Sequence, residues 1–170
     1  MAKITFKGNP VTTAGDLPKV GAAAPEFSLV KNDLAAITRK DVAGRHVVLN
    51  IFPSIDTGVC ATSVRTFHQH AAKLTNTVVL CVSMDLPFAM KRFCGAEGID
   101  KVTTASGFRG ALGGGDFGKA YGVMMQDGPL AGLYARAVVV FDPTGKVVHS
   151  QLVPEIAQEP NYAEALATIR

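Results

Sequence analysis

Two almost unbroken apolar segments, residues 46–52 and 77–84, constrain the fold of this chain more than any other feature. Runs of this kind are typical of parallel strands that are buried on both faces of a sheet. Between them, residues 60–74 carry apolar side chains at helical spacing, which predicts an amphipathic helix. A strand, a helix and a second strand in this order predict a β-α-β unit with a right-handed crossover.

Turn and capping signals predict the elements around this unit. They are an N-terminal β-hairpin within residues 1–14 that turns at Gly8, Asn9 and Pro10, a strand pair at 27–30 and 36–38, a helix from Pro87 to a glycine end at Gly95, two strands at 135–141 and 146–153 joined by a turn at 142–145, and a last helix capped by Asn161. This order is that of a thioredoxin-like fold. We therefore predict an α/β protein in which residues 1–170 form one domain with a central mixed sheet flanked by helices.

Charge and hydropathy exclude two classes of partner. The chain has 17 Lys and Arg against 14 Asp and Glu, its basic residues never cluster beyond pairs, and it has no tryptophan, so we expect no nucleic-acid binding. No apolar stretch reaches the ~18 residues of a membrane span, and no apolar segment follows the first lysines as in a secretory signal. We therefore expect no membrane partner and a cytoplasmic location, where thiols stay reduced.

Two motifs that often carry chemistry are incomplete in this chain. Residues 113–120 resemble a phosphate-binding loop, but Ala120 stands where the motif needs a hydroxyl, so we expect the glycines to form a flexible surface loop. His68 and His70 lie two residues apart on the predicted helix and therefore point to different faces. Because no closely spaced Cys or His pair has the rhythm of metal ligands, we expect no metal site.

Cys60 stands in the first turn of the predicted helix, directly after the loop that leaves the first buried strand. Ligands of open α/β sheets bind beyond the carboxyl ends of strands, and unpaired N–H groups at a helix start favour a thiolate. Lowering a thiol pKa from about 8.5 to about 6 requires ~3.4 kcal/mol, whereas a helix dipole near the surface supplies ~0.3–1 kcal/mol. From the residues alone, a nucleophilic cysteine and an ordinary helix cysteine are equally open.

The other two cysteines have simpler contexts. Cys81 lies inside the second apolar strand, which predicts a small buried hydrophobe with an inert thiol. Cys94 precedes Gly95 at the predicted helix end, where it is either a thiol that moves as the end frays or a partly buried helix residue. The distance in sequence between Cys60 and Cys94 excludes a C-x-x-C redox motif.

Several motifs spread over nearly the whole chain resemble those of the bacterial thiol peroxidases, an atypical two-cysteine branch of the peroxiredoxins. The most specific are the cysteine loop and the Phe-Cys-Gly segment; together the matching segments are Gly8-Asn-Pro-Val-Thr, Asn50-Ile-Phe-Pro-Ser-Ile-Asp-Thr-Gly-Val-Cys60, Ser83-Met-Asp-Leu-Pro-Phe-Ala, Arg92-Phe-Cys-Gly-Ala-Glu-Gly, Ala120-Tyr-Gly-Val, Asp127-Gly-Pro-Leu and Ala135-Arg-Ala-Val-Val-Val. The glycine-rich residues 110–118 depart from the family pattern, and such a loop could change the rim of the pocket.

The resemblance implies a role for each of five residues. Cys60 is the peroxidatic cysteine, which becomes a sulfenic acid, and Cys94 is the resolving cysteine, which closes a Cys60–Cys94 disulfide. Pro53 shields the thiolate from water, the Thr57 hydroxyl hydrogen-bonds the sulfur and the peroxide, and Arg136, on the 135–141 strand, holds a permanent positive charge beside them.

The resemblance further implies hydroperoxides as substrates, thioredoxin as the reductant, a homodimer, and no metal or organic cofactor. Pocket shape decides between hydrogen peroxide and larger hydroperoxides. The apolar residues Met124, Met125 and Leu133 are compatible with larger ones, but packing in the core explains the same residues equally well. An alternative of another class is a redox-switched interaction protein, which would use the same disulfide to change a binding surface without turnover.

Overall fold

The computed structural model describes residues 1–169, so only Arg170 of the predicted domain lies outside it. The described chain has a two-stranded hairpin and a seven-stranded mixed sheet with four α-helices. The strands are β1 (Lys3–Phe6), β2 (Asn9–Thr12), β3 (Ser28–Lys31), β4 (Ala36–Thr38), β5 (His46–Ile51), β6 (Thr77–Ser83), β7 (Thr103–Ser106), β8 (Ala137–Phe141) and β9 (Val147–Leu152), and the helices are α1 (Gly58–Ala71), α2 (Pro87–Glu97), α3 (Phe117–Ala120) and α4 (Tyr162–Ala167).

The predicted β-α-β unit forms the centre of the sheet. Strands β5 and β6 pair in parallel, and the strand order is β4-β3-β7-β6-β5-β8-β9. Because side chains alternate along a strand, β5 sends Val48 to the face covered by α1, α2 and α4, and Val47 and Leu49 to the other face. Both faces are apolar, which explains why the two central strands read as continuous hydrophobic runs. The central mixed sheet flanked by helices is confirmed.

The N-terminal hairpin is confirmed, but its predicted turn is wrong. Phe6 pairs with Asn9, so the turn is Lys7-Gly8, and Asn9 and Pro10 belong to β2. Lys7 and Gly8 both have positive φ, 52° and 80°, as a type I′ turn requires. That turn matches the twist of the two strands, so it prevails although lysine is a poor residue for positive φ.

Helix α2 is longer than predicted. It continues through Gly95 to Glu97, and the left-handed residue that ends it is Gly98, with φ 65° and an N–H that donates to the Cys94 carbonyl. A glycine ends a helix where the chain needs positive φ, not wherever it occurs. Cys94 is consequently held in the last turn of α2 and is not the residue that closes it.

The strands at the end of the chain follow the prediction with one shift. Strand β8 begins at Ala137, so Arg136 precedes the strand and does not lie on it. The turn of residues 142–145 joins β8 to β9, and the Asn161 side chain caps α4 by accepting from the Glu164 N–H. Strand β7, which the sequence analysis missed, is short and polar at both threonines.

The glycine-rich segment is more ordered in its packing than the surface loop we predicted. After a 3-10 turn at Gly110–Gly113, Asp116 caps α3 by accepting from the Lys119 N–H. Phe117 and Gly118 are buried, and a Cβ at Gly118 would lie 3.0 Å from atoms of Met124 and Tyr134. Only the first half of the segment is a surface loop.

In residues 1–169, no helix is long and apolar enough to cross a membrane.

Candidate active site

Cys60 lies in the first turn of α1, at the carboxyl end of β5. Thr57 is the N-cap residue, with extended backbone and a carbonyl that accepts from the Ala61 N–H. The first N–H groups of α1, that of Cys60 among them, therefore have no partner within the helix. Cys60 is completely buried.

Arg136 provides the charge beside this cysteine. Its Nη2 lies 3.3 Å from Cys60 Sγ, and its Nε donates to the Ile156 carbonyl at 2.8 Å. The side chain is only 2% exposed, and its Nη1 has no hydrogen-bond partner within residues 1–169. A guanidinium keeps its charge even when buried, so the fold places a fixed cation against the sulfur.

Pro53 and Thr57 flank the site from the loop between β5 and α1. Pro53 is buried, whereas Thr57 is exposed and donates its hydroxyl to the Ser54 carbonyl at 3.2 Å. The Thr57 hydroxyl thus bonds to backbone in this state and not to the sulfur. Because a hydroxyl carries a single proton, it must rotate away from Ser54 to donate elsewhere.

A cavity of about 280 Å³ adjoins Arg136 and the start of α1. Its walls are mainly apolar, and they are formed by Phe6, Pro53, Ser54, Thr57, Gly58, Val59, Leu130, Leu133, Arg136, Ile156 and Ala157. Of the three apolar residues that the sequence analysis singled out near the site, Leu133 lines the cavity and Met124 and Met125 do not. Residues 110–118 do not line it either.

Asp85 is a residue of the site that the sequence analysis missed. Its carboxylate accepts from the Ile55 N–H at 2.7 Å and the Ser54 hydroxyl at 2.8 Å, both in the loop before Cys60. The Ser83 hydroxyl donates to the same carboxylate at 2.6 Å. The signal was available, because Asp85 follows β6, whose carboxyl end lies beside that of β5 in a parallel pair.

Exposed ion pairs join the two helices that carry cysteines. Asp56, in the loop directly before α1, pairs with Arg92 on α2 at 3.6 Å. Arg65 of α1 also pairs with Glu97 of α2 at 2.9 Å. Such exposed pairs add little stability because solvent screens them, so they orient α1 and α2 without locking them together.

Cys94 and Cys81 lie in the same apolar layer as Cys60, between the sheet and the helices. All three cysteines are free. Burial raises the pKa of the Cys94 thiol, an effect that hydrogen bonds with Thr104 and Asn32 partly offset. Burial raises the pKa of Cys81 to about 12, so its thiol stays protonated and unreactive, in keeping with a structural role.

The two histidines on α1 do not approach a metal-binding cluster. His68 Nε2 lies 3.2 Å from Asp100 Oδ1, and His70 is exposed. In the part of the chain that the structure describes, no group of three or more His, Cys, Asp or Glu side chains is placed to hold a metal ion.

Comparison with known proteins identifies a family and a fold. Residues 19–166 match the Redoxin family. The thiol peroxidases of Mycobacterium tuberculosis and Corynebacterium glutamicum are 56% and 54% identical to this chain over 169 residues, 99% of each protein. A crystal structure of a peroxiredoxin-like protein from Aquifex aeolicus, 42% identical, superposes with a TM-score of 0.90 over 99% of this chain and 96% of that one.

A thiol peroxidase from Chromobacterium violaceum is similar in structure but distant in sequence. It superposes with a TM-score of 0.88 over 98% of this chain and 95% of its own, although only 17% of residues are identical. A likeness at that identity concerns the fold alone. Together with the Aquifex aeolicus structure and the family match, the superposition confirms the thioredoxin-like fold.

Proposed function

Because this chain belongs to the Redoxin family and, within it, to the thiol peroxidases, we propose that it reduces hydrogen peroxide and organic hydroperoxides at Cys60. Cys94 resolves the oxidised Cys60 as an intramolecular disulfide, and thioredoxin returns the disulfide to two thiols. The observation that carries the proposal is the 3.3 Å contact between Arg136 Nη2 and Cys60 Sγ in a water-excluded site.

In the first step, the Cys60 thiolate attacks the terminal oxygen of the hydroperoxide. A sulfur–oxygen bond forms, the oxygen–oxygen bond breaks, and its electron pair leaves on the distal oxygen as an alkoxide or hydroxide, which takes a proton to become an alcohol or water. Cys60 becomes a sulfenic acid. The Arg136 charge, held 3.3 Å from the sulfur, favours both the thiolate and the anionic leaving oxygen.

Three further groups complete the peroxide site. The N–H groups at Val59 and Cys60 lie at the start of α1, where helix donors have no internal partner. The Thr57 hydroxyl, released from Ser54, donates to a peroxide oxygen. Pro53 brings no N–H group and lines the cavity with an apolar ring.

The cavity supports organic hydroperoxides as well as hydrogen peroxide. Its volume of about 280 Å³ is near the lower end of the range for small-molecule sites, and far more than hydrogen peroxide occupies. Apart from Arg136, the lining is mainly apolar, so it favours the carbon part of an alkyl hydroperoxide while Arg136 holds its oxygens.

In the second step, the Cys94 thiol attacks the Cys60 sulfenic sulfur, a disulfide forms, and the hydroxyl leaves as water. A disulfide requires Cα atoms within ~7 Å of each other, and the two cysteines lie in ordered turns of two different helices. We therefore expect the first turn of α1 and the last turn of α2 to unwind. Helix ends open at low cost compared with global unfolding, and the opened ends expose the disulfide to a thioredoxin dithiol.

Three exposed apolar side chains on the segments next to Asp85 support a homodimer. Leu86, Phe88 and Phe108 are 51%, 64% and 39% exposed, respectively. The segments that carry them are connected, because the Ser106 hydroxyl donates to the Asp85 carbonyl. Exposed aromatic residues grouped near a functional loop are typical of protein interfaces.

A reducing compartment such as the cytoplasm is the setting that the thiol chemistry requires.

A coupled assay tests this function against the alternative of a redox switch. Purified protein is mixed with peroxide, thioredoxin, thioredoxin reductase and NADPH, and NADPH oxidation is followed. We expect sustained turnover that Cys60→Ser abolishes and Cys81→Ser largely keeps, since the Cys81 thiol is protonated and buried. Oxidation that stops after one equivalent would instead indicate a switch, and equal losses in two folded variants would contradict the assignment of Cys60.

A further inference from the structure

The apolar side of the cavity is built by three segments outside the central sheet. Phe6 comes from the hairpin, Leu130 and Leu133 from the loop before β8, and Ile156 from the segment after β9. Apolar residues of the same three segments, together with Ala135, pack into a small core of their own, made of Ile4, Val11, Met125, Ala135 and Ile156. The position of this wall therefore depends on how the hairpin is attached to the two other segments.

Glu155 attaches the hairpin on the β1 side. Its carboxylate accepts from the Thr5 hydroxyl at 2.7 Å and from both N–H groups of the turn, Lys7 at 3.0 Å and Gly8 at 3.1 Å. It also accepts from the Ala157 N–H at 3.2 Å, in its own segment. One carboxylate thus joins the turn that follows Phe6 to the segment that carries Ile156, and these bonds use its full capacity as an acceptor.

Asp127 attaches the hairpin on the β2 side. Its carboxylate accepts from the Thr12 N–H at 2.8 Å and the Thr12 hydroxyl at 2.6 Å. The Gln126 N–H returns a bond to the Thr12 carbonyl at 2.8 Å. The loop that carries Leu130 and Leu133 is thereby tied to the second strand of the hairpin.

These bonds do more than hold the N-terminus in place. A two-stranded hairpin is at best marginally stable by itself, so its position is set by what it is attached to. The reacting groups Cys60, Arg136 and Thr57 lie on other elements and make none of these bonds. Arg136 is bonded to the segment that carries Glu155, because its Nε donates to the Ile156 carbonyl. Loosening the hairpin from that segment therefore moves Phe6, and it leaves Ile156 and Arg136 in place.

We propose that Glu155 and Asp127 are positioning residues that determine substrate specificity, because they hold Phe6 where the carbon part of an organic hydroperoxide is bound. This inference rests on the proposed function. The two carboxylates act through the hairpin and touch no reacting atom. Their effect is consequently confined to substrates large enough to reach the wall, and hydrogen peroxide is not among them.

The variants Glu155→Gln and Asp127→Asn test the proposal, with Phe6→Ala as a direct removal of the wall. Asp142→Asn is the matched control, because Asp142 accepts from Thr144 and Lys146 in the turn between β8 and β9 and does not line the cavity. Steady-state rates are measured with cumene hydroperoxide and with hydrogen peroxide. Hydrogen exchange of the hairpin amides is measured on the same samples, and it reports the attachment independently of activity.

We expect kcat/KM for cumene hydroperoxide to fall about fivefold in Glu155→Gln and Phe6→Ala, because KM rises while kcat stays the same. With hydrogen peroxide, kcat/KM should change less than about twofold. Exchange should quicken at the hairpin amides in the carboxylate variants only. Equal losses on both peroxides, or unchanged rates despite faster exchange, would overturn the proposal. A wild-type protein that reduces neither peroxide would contradict the proposed function instead, and the exchange result would still stand.

Discussion

Arg136 and Cys60 meet in the core of this protein, with Nη2 and Sγ 3.3 Å apart, although 76 positions separate them in the chain. The position of the guanidinium does not depend on the sulfur, because its Nε donates separately to the Ile156 carbonyl. The cation is therefore already in place before any peroxide arrives. Such preorganised charge is what makes electrostatic stabilisation effective in a dry site.

Replacing Arg136 by methionine should slow the reaction of Cys60 with peroxide about 10- to 100-fold, the loss of one hydrogen bond to a charged group. Alkylation of Cys60 by iodoacetamide should slow as well, because the cation no longer faces the sulfur. Arg92→Met is the control, since Arg92 is an exposed cation paired with Asp56. If Arg136→Met reacts with peroxide and with iodoacetamide as fast as the wild type, the guanidinium does not activate Cys60.

Asp85→Asn should loosen the loop before Cys60, because an amide cannot accept from Ser83, Ser54 and Ile55 as a carboxylate does. We expect peroxide reduction to slow about fivefold, and disulfide formation to become faster relative to overoxidation, since the first turn of α1 opens more readily. Rapid-mix fluorescence is unsuitable without tryptophan, so quenched samples would be resolved by mass spectrometry. Asp41→Asn is the control, because the Asp41 carboxylate accepts from the Thr38 N–H in a remote turn. It should leave both rates unchanged.

Cys94→Ser should still form the Cys60 sulfenic acid but fail to recycle with thioredoxin, because no second thiol closes the disulfide. The stranded sulfenic acid should then be oxidised to sulfinic acid by excess peroxide. Mass spectrometry of peroxide-treated wild type and variant measures both products. Full thioredoxin-dependent turnover in the variant would contradict the resolving role of Cys94, and so would a peroxide-treated wild-type protein without the intramolecular disulfide.

Acid should release the hairpin. Hydrogen bonds lower the pKa of Glu155 to about 2, from an ordinary value of 4.5. The bond from the Thr5 hydroxyl contributes most, and backbone N–H groups contribute the rest. A carboxyl group whose pKa is lower in the folded protein than in the unfolded chain stabilises the fold at pH values above the pKa of the unfolded chain. This contribution is therefore complete above pH ~4.5, and it is lost as the pH falls towards ~2. The amide resonances of Lys7 and Gly8, followed by NMR from pH 6 to 2, should move with that titration. Glu155→Gln should abolish the transition, and a transition that persists there would assign it to another group.

Local sequence patterns determined most of the elements of this fold. The apolar runs of β5 and β6, the helical spacing of α1 and the cap at Asn161 each depend on neighbours within a few residues, and each was confirmed. The same locality explains the errors. Gly95 and Gly98 are both plausible ends for α2, and only the conformation of the folded chain, with positive φ at Gly98, selects between them.

The sequence by itself placed Cys60 at the start of a helix after a buried strand, and that position is a local property. Tertiary structure decided what surrounds it. Arg136 reaches the sulfur because β8 pairs beside β5, Asp85 braces the Cys60 loop because β6 ends beside it, and Glu155 holds a hairpin from the far end of the chain. Contacts between residues so distant in sequence follow from strand order and register, which depend on the packing of the whole core and leave no periodic trace in any one segment.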